Sequence, residues 1–358
     1  MAVVGHLSES ETETTEDSTS MLGSFEPRIR RAAPQQVRMV PAGPFYATYH
    51  GHDAGYLEVL LDGLLALHPQ GATIYLAGDS SLDNKTWLFN QGAAAERWRP
   101  AGSHAPAVNG YERLLQPPRM VCDVTFWMNQ LLCDMRSPAF TINTAIEATT
   151  LASRVGGVQF CCFPSVCCGL FEQEQLIRDR IRPCDMLVIS VGGNDVALAP
   201  SIFTVLAMVL LMLTPWPFLF WFHPAVAYFI GMYKYQVQCY IERLTHRTRP
   251  SKIGVCMIYN PDERNGTSWA NMALCMLCYT CFPGMLQRRL RLVFELAHCT
   301  IQVPGSEVVP IHLADALDGL CTEDYHQRVE PSVIGGQKMA RLILHRLGWR
   351  CADQLSSA

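Results

Sequence analysis

Five short apolar runs, at residues 73–77, 139–143, 186–191, 253–259 and 308–313, recur along the chain with longer helix-like segments between them. Such alternation constrains the fold more than any other feature, because parallel strands need crossover connections and bury both faces of their sheet beneath helices. The expectation is an α/β chain: a flavodoxin-like three-layer sandwich with a parallel sheet of about five strands. Tyr56, Leu57, Leu60, Leu61, Leu64 and Leu65 recur at helical spacing just before the first run, and Pro69-Gln70-Gly71 ends that helix. At the other end, Pro331 opens and Gly348 stops a closing helix carrying Met339, Leu342, Ile343 and Leu347.

With 358 residues, 49% of them apolar, the chain can bury a large core. Its net charge of -4, with dispersed Lys and Arg, offers no basic field, so nucleic acid is not expected as a partner. Residues 7–22 are dominated by Ser, Thr, Glu and Asp, so 1–40 read as a disordered acidic tail and linker ahead of a domain at 41–350. Met1 to His6 show no basic stretch leading into an apolar one. The chain is therefore expected in the cytoplasm, where the 15 cysteines read as small buried hydrophobes.

One stretch departs from the alternation. Residues 196–233 hold no Asp, Glu, Lys or Arg and are interrupted by Pro200, Pro215 and Pro217, the pattern of a broken helical hairpin inserted into the domain. It can be a buried insertion, a lipid-facing lid that gives membrane contact, or a membrane anchor.

The chemistry concentrates where two runs end. The first leads into Gly78-Asp79-Ser80 and the third into Gly192-Gly193-Asn194-Asp195, and sites in open parallel sheets lie beyond the carboxyl ends of strands. Ser80 at a strand-to-helix turn suits a nucleophile whose own N–H faces the same space. Asn194 can offer an amide donor to an oxyanion, with Gly192 and Gly193 permitting the tight turn.

These motifs, with Asn143-Thr144-Ala145-Ile146-Glu147-Ala148 between them, resemble the SGNH (GDSL-type) hydrolase superfamily over residues 73–347. Ser81-Leu82-Asp83-Asn84-Lys85, the stretch from Ile146 to Leu151, and Arg328-Val329-Glu330-Pro331-Ser332 with Gly335-Gly336 are similar to SGNH-type proteins of unicellular eukaryotes. The resemblance implies a serine hydrolase acting on acyl or acetyl esters of lipid or carbohydrate through an acyl-enzyme on Ser80. It places the N–H groups of Ser80 and Ala148, the Gly193 turn and the Asn194 amide at the oxyanion. A small-molecule or lipid ester is then the partner, and no cofactor or metal is required. Ala148 stands where the family has glycine, so a left-handed backbone there would be strained.

The family's Asp-x-x-His ahead of the last helix fits in two registers. Counted from the helix, Glu330 takes the histidine place and Gln327 the aspartate place; counted from the histidine, His326 is the base and Glu323 or Asp324 its orienting partner. Histidine titrates near neutrality, which suits proton transfer from serine. Glu330 as the base position implies instead a slow hydrolase, or a catalytically impaired SGNH-fold protein that binds a ligand or a membrane.

Weaker patterns complete the survey. Cys275, Cys278 and Cys281 have a cluster-like spacing but sit among Met272, Leu274, Met276, Leu277 and Tyr279, the composition of a buried helix. Cys161-Cys162 with Cys167-Cys168 is a weak zinc pattern, and His312, Asp262-Glu263 and Trp269 stand near the sheet edge.

Overall fold

All five apolar runs form strands of one parallel sheet: β1 (Thr73–Gly78), β2 (Phe140–Asn143), β3 (Met186–Ser190), β4 (Lys252–Met257) and β5 (Glu307–His312), in the order β2-β1-β3-β4-β5. That is the flavodoxin-like order, whose switch point lies between β1 and β3. The computed structural model describes residues 38–88, 103–155, 169–219 and 222–349, which lie in the unit Val37–Ala358. The acidic stretch at 7–22, the paired cysteines at 161–168 and residues 220–221 of the insertion lie outside the described residues.

Strand side chains alternate between two cores. Tyr75, Ala77, Leu187, Ile189 and Val255 join one hydrophobic cluster, whereas Ile74, Leu76, Val188, Cys256 and Ile311 join another. This period of two follows from the pleat, and each face needs its own helical cover. Helix α1 (Ala54–Leu67) brings Leu57, Leu60, Leu61 and Leu64 to the first cluster. On the second, α2 (Val124–Asp134) packs along the last helix of the chain through Val124, Met128 and Leu132. Leu176 and Ile177 of α3 (Glu172–Arg180) also face the first cluster.

The apolar insertion forms α4 (Ile202–Leu213), a short turn at Trp216–Phe218, and α5 (Pro224–Ile230), which continues through a π-helical segment at Gly231–Gln236 into α6 (Val237–Thr245). Helix α4 buries Ala207, Met208, Leu211 and Met212, yet its other face leaves Ile202 67% and Leu213 77% exposed. No helix among the described residues is long and apolar enough to cross a membrane, so none of them is the anchor that the sequence left open.

Beyond β4 come α7 (Asn271–Met276) and α8 (Pro283–Leu296), and the chain closes with α9 (Val333–Leu347). Helix α7 is only half covered, contrary to the buried helix its composition suggests: Leu274 is buried while Met272 is 76% exposed. Cys275 and Cys281 are exposed, and no group of three or more potential ligands among the described residues is arranged to hold a metal. Helix α9 starts two residues after Pro331, because Ser332 caps it by accepting from the Gly335 N–H at 3.1 Å. Gly348, at φ 112°, ends it in the left-handed conformation.

Candidate active site

The carboxyl ends of β1 and β3 meet closely. A Cβ on Gly78, whose φ is 140°, would lie 1.9 Å from the Ser190 carbonyl oxygen, so only glycine permits this approach. The chain then turns through Asp79, whose carboxylate accepts the Ser81 N–H at 3.2 Å and hydroxyl at 2.8 Å. That tight turn leaves Ser80 half-buried at the edge of a cavity that Asp79, Ser81, Gly193 and Asn194 also line. Gly192 is left-handed at φ 99°, and a Cβ there would meet the Tyr233 ring at 2.7 Å. Tyr233, in the π-helical segment, donates its hydroxyl hydrogen bond to the Gly192 carbonyl at 3.1 Å.

A third loop approaches from the end of β2. Ala148 has φ 59°, the left-handed conformation that costs a residue bearing a Cβ. Two groups hold this loop. Asp195 accepts the N–H groups of Leu151 and Ala152 at 2.6 and 2.9 Å, and the buried Arg154 donates to Gly78 O, Thr149 Oγ1 and Thr150 O, each at 2.8 Å. The Ser80 and Ala148 N–H groups make no hydrogen bond among the described residues. Asn194 donates from Nδ2 to Thr149 O at 2.9 Å, leaving its second amide hydrogen.

The fourth contribution is a short hairpin in which Tyr325–His326 pairs with Glu330–Pro331. Its turn residues Gln327 and Arg328 are both left-handed, at φ 49° and 65°. Two bonds flank the carboxylate position: Tyr259 Oη donates to Val329 O at 2.6 Å, and Asn84 Nδ2 donates to Pro331 O at 2.9 Å. Arg328 is pinned from the β4 side, donating to Asp262 O at 3.0 Å and Asn271 Oδ1 at 2.9 Å. Glu330 is thereby carried into the cavity beside Ser80.

His326, its neighbour across the hairpin, is exposed and does not line that cavity. Glu323 is also exposed, with its backbone carbonyl accepting from Ser332 Oγ at 2.5 Å. Asp324 is buried but takes Lys338 Nζ at 2.7 Å, an ion pair that fastens the hairpin to α9. His312 bonds Asp315 at 3.2 Å away from the cavity, whereas Trp269 lines it. The structure thus brings together Ser80, Asn194, Gly193 and Glu330, and leaves His326 and Glu323 outside.

Carboxyl groups dominate the electrostatics. Burial pushes the pKa of Glu330 well above the usual carboxylate range; the charges of Glu147 and Asp79 add to this, and hydrogen bonding from Ser80 and Trp269 opposes it. One of its oxygens, Oε2, is buried without a partner among the described residues. Burial also raises Asp79 to about 6, Glu147 to about 7 and Asp123 to about 7. Lys85 is fully buried and forked onto Asp83 at 2.7 and 2.8 Å, and Asp83 in turn accepts the Glu147 N–H at 3.0 Å. Sequence reasoning did not anticipate this polar cluster, whose only local signal is the run Asp83-Asn84-Lys85 directly after the serine turn.

No family model matches the chain, and no curated protein matches it. Among solved structures it is similar to an acetylxylan esterase from Geobacillus stearothermophilus, at 14% identity and a TM-score of 0.38 over 78% of this chain and 96% of that one. It is also similar to a carbohydrate esterase family 3 protein from Talaromyces cellulolyticus, at 12% identity and a TM-score of 0.36 over 77% and 96%. A carbohydrate acetylesterase from Sinorhizobium meliloti gives 11% identity and a TM-score of 0.38 over 77% and 98%.

Among this chain's own residues, a serine at a strand end, a buried carboxyl beside it, two unspent N–H groups and an amide form a set able to move a proton and to hold an oxyanion.

Proposed function

We propose that the protein is a serine hydrolase of SGNH type that cleaves carboxylic esters, with Ser80 as nucleophile and Glu330 as its general base. The observation that carries this reading is Glu330, a buried carboxyl, lining the same cavity as Ser80. In its carboxylate form Glu330 takes the Ser80 Oγ proton as Oγ bonds the ester carbonyl carbon. Negative charge passes to the carbonyl oxygen, where the Ser80 and Ala148 N–H groups and the Asn194 amide are the donors assigned to receive it. Collapse breaks the bond to the alkoxy oxygen, and Glu330 returns the proton to the leaving alcohol. Water then repeats the sequence on the acyl-enzyme, releasing the acid and restoring Ser80.

A carboxylate of ordinary pKa is a weak base for serine, and the upward shift of Glu330 brings it closer to the task. The same shift favours a second reading, a binding protein whose Glu330 keeps its proton at neutral pH and whose hydrolytic chemistry is retired. Labelling by a fluorophosphonate separates them, since only an activated serine reacts readily. The hydrolase reading expects labelling of the native protein that strengthens toward alkaline pH and is lost in Ser80→Ala. Labelling that is absent at every pH, or unchanged in Ser80→Ala, rejects it.

A further inference from the structure

The cavity beside Ser80 joins a small polar set to a mostly apolar wall. Asp79, Ser80, Asn194 and Glu330 are in the polar set, while Val196, Ala273, Leu274, Leu277, Leu286 and Leu290 belong to the wall. Behind it lies a second, smaller cavity between the insertion and α8, which shares Val196, Tyr233, Leu277, Leu286 and Leu290 with the first and adds Met208 and Phe229. Those shared side chains form a wall common to the two.

The polar groups near this inner space are already committed. Arg289 is buried beside it, but its guanidinium donates to the carbonyls of Leu211 at 2.9 Å, Thr214 at 3.0 Å and Met285 at 2.9 Å, closing the carboxyl end of α4. Tyr233, the one hydroxyl shared by both cavities, is spent on Gly192. A sugar placed here would lose its water and find few partners, whereas a hydrocarbon chain would lose nothing polar.

We propose that the site takes esters bearing an unbranched aliphatic chain, which runs from the carbonyl at Ser80 between the insertion and α8 into the inner cavity. The placement of the carbonyl rests on the reading of Ser80 as nucleophile; the chain's path rests on the walls. The chain can belong to the acyl or to the alkoxy side of the ester, and the two sources are distinguished by experiment.

Calorimetric titration of the Ser80→Ala protein with methyl butanoate, methyl octanoate and octyl acetate tests this without requiring turnover. Each buried methylene strengthens binding about fourfold, so one of the two long-chain esters is expected to bind at least about tenfold more tightly than methyl butanoate. Methyl octanoate as the tighter ligand assigns the chain to the acyl side, and octyl acetate assigns it to the alkoxy side. Leu286→Trp in the same background, which narrows the passage, is expected to reduce the long-to-short ratio. Leu290→Ala, which widens it, is expected to raise the ratio and stands independently should the tryptophan variant not fold. Equal affinity for short and long esters, or a ratio that neither variant moves, overturns the proposal. Aryl ester hydrolysis by the native protein is read separately: selective binding with no turnover rejects the hydrolase and keeps the aliphatic channel, and turnover without chain selectivity does the reverse.

Discussion

Glu147→Gln isolates the electrostatic strain beneath the site. Glu147 is 2% exposed, its Oε2 has no partner among the described residues, and burial raises its pKa from 4.5 to about 7. Because the folded state holds this proton more tightly than the unfolded chain, the group's stabilising contribution is complete below 4.5. It is lost as pH rises through about 7. Integrating proton uptake between those two values, at 1.36 kcal/mol per pKa unit, gives about 2.5 kcal/mol lost by the native protein between about pH 5 and about pH 8. Glutamine has the same shape and no titration, so constant packing terms cancel when the variant is compared with the native protein at both pH values. Urea unfolding should show the variant gaining about 2.5 kcal/mol relative to native on going from the lower pH to the higher. Its acid limb of ester hydrolysis should also move to lower pH, since Glu147 no longer opposes the ionisation of Glu330. A stability difference independent of pH would refute the burial argument for this carboxyl.

Two further substitutions probe the loop and its support. Ala148→Gly relieves the left-handed strain at φ 59° and should stabilise the protein by about 1 kcal/mol in denaturant unfolding, the extra unfolded-state freedom of glycine offsetting part of the gain. Glu174→Ala removes the carboxylate that Arg154 and Tyr240 share in full burial, leaving the guanidinium charge uncompensated. Thermal or urea unfolding should register a loss of about 3–5 kcal/mol, and a loss below about 1 kcal/mol would mean the pair is solvated in solution.

The sheet was legible because short apolar runs alternating with longer helix-like segments carry their own evidence, and Ser80 and Asn194 sit two and four residues past β-strand ends. Which of the two registers brings its residue to the cavity was not legible, because the position of Glu330 is fixed by partners far away in sequence. Tyr259 and Asn84 hold the carbonyls on either side of Glu330, and Asp262 and Asn271 hold the strained turn that leaves His326 exposed. Pro331-Ser332 and Gly335 were the local signal favouring the helix-based register, and Ser332 does cap α9. Asp83, Lys85, Asp123 and Glu147 have the look of solvated surface in a sequence, yet all are buried, Lys85 paired with Asp83 and Asp123 accepting the Phe126 N–H. The exposed face of α7 was hidden for the converse reason: composition alone assigned this apolar helix to the interior, whereas Met272 and Met276 face outward; for α4 the sequence had left burial and exposure both open.

The account turns on Glu330 acting on Ser80, and the pH dependence of kcat/KM for an aryl ester in the native, Glu330→Gln and His326→Ala proteins tests it most directly. Because only the carboxylate accepts a proton, native activity should rise with pH through the raised pKa of Glu330 and then level off. Glu330→Gln should lower it by about 10²–10⁴-fold and remove that limb, while His326→Ala should keep both the rate and the profile. Loss of activity in His326→Ala with retention in Glu330→Gln would contradict the account.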